Sequence, residues 1–153
     1  MANMTDQTRV NAIIQALFTS STTFTITPGT SGGSAFTMTP PLKLRLMTAT
    51  GTNTSNGTEA TSGNCPGYTA LGTSLGASGF AAPSAGQQAN NNAVSWSATG
   101  SWTTVTGIEI WDSASGTPLR WLQGALTSNI TGVANGDTVQ FAVASVTINA
   151  SSW

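Results

Sequence analysis

Histidine is absent from these 153 residues, and only nine side chains carry a full charge: Asp6, Arg9, Lys43, Arg45, Glu59, Glu109, Asp112, Arg120 and Asp137. Without histidine, no Ser-His-Asp or Cys-His arrangement can be assembled. The few acids and bases are scattered, whereas proton-moving sites concentrate tuned groups in one cleft. A net charge of −1 gives no long-range field to draw in nucleic acid or an anionic membrane, so no partner of either kind is expected. Cys65 is the only cysteine, which excludes an intrachain disulfide and a cysteine metal site. Its setting, Asn64-Cys65-Pro66-Gly67, reads as a turn holding an inert thiol, since reactivity needs an electropositive neighbourhood. No apolar run approaches the roughly 18 residues of a helical membrane span. The first residues, Met-Ala-Asn-Met-Thr-Asp, lack the basic and apolar regions of a signal peptide.

The remaining acids do not suggest a site either. Glycoside hydrolysis needs two carboxylates flanking the sugar, and Glu109 with Asp112 is the nearest pair. Three residues apart on a strand, they should point to opposite faces unless the strand ends between them. Asp137 follows Asn135-Gly136 and reads as a turn cap, because calcium gathers six to eight oxygens, several of them carboxylates close in sequence. Glycines occur in turn settings and not in a strand–helix phosphate fingerprint. Catalytic residues, metal ligands and cofactors are all expected to be none.

What the chain does contain is 17 glycines, five tryptophans, abundant Thr, Ser and Asn, and 39% hydrophobic residues against 6% charged. Disordered chains combine low hydrophobicity with high charge; this one is long enough for a core, and its apolar residues sit in short runs. So little charge protects poorly against self-association. The expected surface is one covered by other subunits, as in a homo-oligomer, possibly a trimer.

Residues 5–18 form the one clear helical pattern, with Val10, Ile13, Ile14 and Leu17 on a single stripe. Thr5 or Asp6 suits the N-cap, and the stripe must dock on the domain or on a neighbour. Thr22–Thr27 alternates as a strand before Pro28-Gly29. Leu42–Met47 is the clearest strand, with Leu42, Leu44 and Leu46 on a buried face and Lys43 and Arg45 on a solvated one. Residues 48–93 read as a long loop region with possible short strands near 67–75 and 78–82; loops of that length usually contact a partner or carry function. Further strands are expected at Asn92–Trp96, Trp102–Trp111, Leu119–Leu126 and Val139–Ile148, with turns at Asp112–Pro118 and Asn135–Asp137. The buried face switches near Ala144-Ser145, which calls for a bulge or a strand passing between sheets. Trp96, Trp102, Trp111 and Trp121 are read as core or interface residues in preference to sugar platforms, because their strands must bury a face. The pattern is an all-β fold: an antiparallel β-sandwich of about 7–8 strands with one short N-terminal amphipathic helix. Residues 1–20 are expected to form a helical arm and 21–153 a single sandwich domain.

Several segments together resemble small virion proteins of tailed bacteriophages, a family often described as tail-fibre, minor structural or decoration proteins. They are Leu42-Lys-Leu-Arg-Leu-Met-Thr-Ala-Thr50, Gly57-Thr-Glu59, Pro66-Gly-Tyr68, Asn92-Ala-Val-Ser-Trp96, the hairpin Trp102 to Gly116, Gly124-Ala-Leu126 and Gly136-Asp-Thr-Val-Gln-Phe141. The resemblance spans about residues 42–148 and implies a non-catalytic virion component. Within that class the short chain, without a coiled coil or fibrous repeat, favours a capsid decoration (cement) protein on the particle exterior, made in the bacterial cytoplasm and bound to itself and to the major capsid protein. The alternative is a tail-fibre or baseplate module that meets host glycans through exposed aromatics. Candidate assembly contacts are Val10, Ile13, Ile14 and Leu17 on the helix and Trp153 at the end of the chain.

Overall fold

The computed structural model describes residues 7–18, 23–26, 35–76 and 79–149. It is an antiparallel β fold with one helix, α1 (Gln7–Phe18), followed by β1 (Phe24–Ile26), β2 (Phe36–Met38), β3 (Lys43–Ala49), β4 (Thr58–Glu59) and β5 (Thr73–Ser74). The second half supplies β6 (Gln87–Ala89), β7 (Val94–Ser97), β8 (Val105–Trp111), β9 (Arg120–Ile130), β10 (Thr138–Phe141) and β11 (Thr147–Asn149). The largest sheet runs β4-β3-β8-β9, with β5 sharing the β3 edge with β4. Two small ladders, β10 with β7 and β11 with β6, and a separate antiparallel β1–β2 pair complete the pairing of named strands among the described residues.

Alternation along the strands builds the core. Leu44 pairs with Ile110 and Leu46 with Ile108, while Ile110 also faces Leu122, so one surface of the large sheet is aliphatic. On the small ladders Trp96 pairs with Val139, Val94 with Phe141 and Gln88 with Ile148. All of these but Gln88 meet in one cluster with Leu75, Phe80 and Val146, which makes the two small ladders the second layer of the sandwich. Trp96 packs between Tyr68 and Phe141, with ring centroids 5.8 and 6.2 Å away.

The helix docks on its own domain. Ile14 is fully buried and Phe18 meets Phe80 edge-on at 6.0 Å, while Asn11 accepts a hydrogen bond from the Gly86 amide. Of the expected strands, Val139–Ile148 divides into β10 and β11, which join different ladders. Ala144 takes a left-handed φ of 62° at the junction, so the face switch read from the sequence is a passage between ladders. Thr5, Asp6 and the ends of the Thr22–Thr27 run lie outside the described residues.

One expectation fails. The sequence reading places Lys43 and Arg45 on a solvated face, but Arg45 is only 6% exposed and Met47, on the same side of β3, is buried as well. Glu59, the Trp111 ring and the chain at Gly72 lie against Arg45 on that outer face, so β3 is covered there on both sides. Alternation therefore marks two environments, aliphatic and polar, and not inside and outside.

Candidate functional site

The scarce charges show how this surface is made. Glu109 on β8 is 1% exposed. Its Oε1 accepts from Arg120 Nη1 at 2.9 Å and from the Gly57 amide at 2.8 Å, and its Oε2 accepts from Trp111 Nε1 at 2.8 Å. The Arg120 guanidinium continues to the carbonyls of Ser55 (2.8 Å) and Thr52 (2.6 Å) and to Gln123 Oε1 (3.1 Å). One ion pair thus ties the 51–57 turn to the outer face of the large sheet. The turn lies so close that a Cβ on Gly51 would sit 2.4 Å from Arg120 Nη1 and 2.6 Å from Glu109 Oε1.

A second cluster works alongside. Arg45 Nη1 donates to Glu59 Oε2 at 3.0 Å, and its guanidinium carbon lies 4.1 Å from the Trp111 ring centroid. The Tyr68 hydroxyl donates to Glu59 Oε1 at 2.8 Å and accepts from the Leu46 amide at 3.3 Å. Burial, and after it the bond to the Glu59 carboxylate, holds the Tyr68 phenol well above its ordinary range. Two further polar staples set turns. Asp112 Oδ1 accepts from the amides of Leu119 (2.8 Å) and Ala114 (3.3 Å), closing the β8–β9 hairpin. Asn90, also buried, donates to the carbonyls of Asn92 and Ala142 at 2.8 Å each and accepts from the Val146 amide at 2.8 Å. That side chain fixes the turn by which the chain leaves β10 for β11.

These placements decide the chemical readings. β8 ends at Trp111, between Glu109 and Asp112, so strand alternation does not set their directions; the two serve different partners, and both carboxylates are engaged by donors of the chain itself. Asp137 Oδ2 accepts from the Ala134 amide at 2.8 Å, the turn-cap arrangement. Cys65 is buried, with its Sγ 3.9 Å from the Thr103 carbonyl, and burial pushes the thiol up. Among the described residues, no group of three His, Cys, Asp or Glu side chains could hold a metal ion. Trp96, Trp102 and Trp111 are buried, and Trp121 is half-buried against the core; none of these four offers a flat exposed ring.

What remains open is a largely uncharged exterior. It carries a groove of about 740 Å³ where β9 passes β10 and the start of β11, lined by Ile108, Leu126, Ile130, Val133, Phe141 and Val146 together with hydroxyl-bearing and amide residues. Among the described residues on its walls, Asp137 alone is charged. Among the candidate helix contacts, Ile14 is taken up by the domain's own core, Leu17 packs partly against it and Ile13 is 41% exposed. The Val10 side chain and Trp153 lie outside what is described. The sequence reading did not find Asn90, Arg120 or the Arg45–Glu59–Tyr68 cluster, because nothing local distinguishes a buried Asn or Arg from a solvated one. The scarcity of charge was the available signal: each charged residue in so neutral a chain is a candidate for an internal role.

A family model described as podophage GP4 fiber I protein gp80 matches residues 3–149. The chain belongs to that family. No curated protein matches it.

Proposed function

We propose that the protein is a non-catalytic fibre module on the exterior of a podophage-type virion, acting through area and fit with its neighbours. The family match over residues 3–149 carries this reading. The resemblance in the sequence leaned towards capsid decoration within the same class of virion proteins, and the family's description as a fibre protein favours the fibre over the capsid surface. The internal use of charge supports a structural role. Glu109 and Arg120, Arg45 and Glu59, and Asp112 are bound to one another or to backbone groups, so these acids and bases hold turns in place. A surface with few free charges associates through buried area and hydrogen bonds. Host-glycan contact by stacked tryptophans, the alternative drawn from the sequence, has no support from the four described tryptophans, which are buried or half-buried.

Inactivating the gene in the phage that encodes this chain tests the reading. The fibre role predicts particles with filled, heat-stable heads that fail to adsorb to host cells. Particles that adsorb normally but whose heads rupture on warming would contradict it and restore the decoration role.

A further inference from the structure

Lys43 is the only lysine of the chain, and among the described residues it forms no ion pair. On β3 it lies opposite Ser74 and Trp111, two residues before Arg45 and so on the same face. The two cations line a pocket of about 280 Å³ that Leu71, Ser115, Gly116 and Pro118 help to close. We infer that this pocket binds one acidic sugar unit, bearing a carboxylate or a phosphate, of a host surface polysaccharide. The inference deepens the fibre reading and rests on it for the pocket's place on the particle exterior.

The chemistry of the walls selects an anion. Arg45 is 6% exposed; its Nη1 is held by Glu59, while its buried Nε has no hydrogen-bond partner. Buried donors are almost always paired, so an unmatched one on a pocket wall marks the place of an absent acceptor. A guanidinium offers its donors as a fork that fits carboxylate or phosphate oxygens, and a lysine adds a point charge. Asp112 also lines the pocket, but its oxygens already accept from the amides of Leu119, Ala114 and Thr39 and from the Trp121 indole. Lys43 is therefore the charge left uncompensated.

The remaining walls select a sugar. Leu71 is 53% exposed and holds a left-handed φ of 67°. A Cβ on Gly72 would stand 2.8 Å from Arg45 Cγ, so this segment is pressed against the arginine stem. A residue kept in a strained conformation is characteristic of binding sites. Leu71 and Pro118 supply apolar surface for the C–H face of a sugar ring, and Ser115 and Gly116, both exposed, supply polar groups for its hydroxyls. Size selects a single unit: 280 Å³ lies at the lower limit of small-molecule sites, about 300–1,000 Å³. An acidic protein segment would need a far wider contact, about 800 Å² on each partner.

NMR titration of the purified, ¹⁵N-labelled chain with glucuronate, galacturonate and glucose 6-phosphate, with glucose as the neutral control, tests this. The expected result is saturable shifts centred on Leu71, Ser115 and Gly116, half-complete at about 1–10 mM, the strength open to a ligand of this size, and none from glucose. A response to the uronates alone assigns a carboxylate; a response to glucose 6-phosphate alone assigns a phosphate. Lys43→Gln should weaken binding at least about tenfold, as loss of a charged partner does. Should that variant fail to fold, reductive ¹³C-methylation of the unaltered chain decides. It keeps the lysine charge and gives one lysine signal, which should move with an acidic sugar and not with glucose. No shifts up to about 50 mM, equal shifts from glucose, a Lys43→Gln chain that binds as well as its parent, or an aspartyl-glutamate peptide that binds as tightly as the sugars would each overturn the inference. A chain that binds none of these sugars yet sits on the fibre of intact particles would defeat this inference alone and leave the fibre role standing.

Discussion

Replacing Glu109 by alanine should be among the most damaging single changes in the protein. The carboxylate is 1% exposed and holds three donors: Arg120, the Gly57 amide and the Trp111 indole. Alanine strands all three, and removing one partner of a buried pair costs about 3–5 kcal/mol, because the other charge is left uncompensated. Arg120 keeps the carbonyls of Thr52 and Ser55, which places the expected loss at about 3 kcal/mol, the lower end of that range. Glutamine preserves the shape and part of the acceptor capacity, so Glu109→Gln should lose roughly half as much, in line with single hydrogen bonds to charged groups at about 1.5–3 kcal/mol. Urea unfolding followed by tryptophan fluorescence reads both. With a slope of about 2 kcal/mol per molar urea, a typical value, Glu109→Ala should lower the midpoint by about 1.5 M. Glu109→Ala with Arg120→Ala should cost less than the two separate losses added together, since residues in one network couple. A Glu109→Ala loss below about 1 kcal/mol, or simple additivity of the pair, would show that the ion pair does not hold the 51–57 turn.

Other perturbations probe other staples. Asn90→Ala removes two donated bonds and one accepted bond from a buried side chain and should cost about 2–4 kcal/mol on that account, with faster amide exchange at Val146; unchanged exchange there would refute its part in the β10–β11 turn. Gly67 has φ of 93°, and a Cβ there would stand 2.1 Å from the Ser97 carbonyl oxygen, so Gly67→Ala should lose about 2–5 kcal/mol from combined backbone strain and overpacking; a melting temperature within a degree of the parent would contradict this. Tyr68 binds its proton more tightly folded than unfolded. Its contribution is complete below about pH 10 and is lost as pH rises further, by up to about 1.4 kcal/mol per pH unit. Unfolding free energies from pH 8 to 11 should fall more steeply for the parent than for Tyr68→Phe, and parallel curves would refute the assignment.

The elements legible in the sequence were those in which local pattern and tertiary environment agree. The stripe with Ile14 and Leu17 marks a helix because both residues face the domain core, and Asp112–Pro118 marks a hairpin because an Asp side chain there closes its own turn. Even the break at Ala144 was visible, since the apolar period shifts where the chain changes ladder. The outer face of the large sheet was not legible. Arg45 and Glu109 look like solvent-facing strand residues until Glu59 and Trp111 cover the first and the 51–57 turn the second, and no local feature of Thr52–Ser55 announces its contact with Arg120, 65 or more positions away in the chain. The short β4 and β6 were equally hidden, being two or three residues long and defined by their partners, whereas β5 falls within the strand expected near 67–75. The groove beside β9 is a product of strand order, which pattern alone does not specify.

The most direct test of the central claim is immunogold labelling of intact phage particles with antibody raised against this chain. The account predicts gold confined to the tail and its fibres. Gold spread evenly over the heads would contradict it and make the protein a decoration of the capsid.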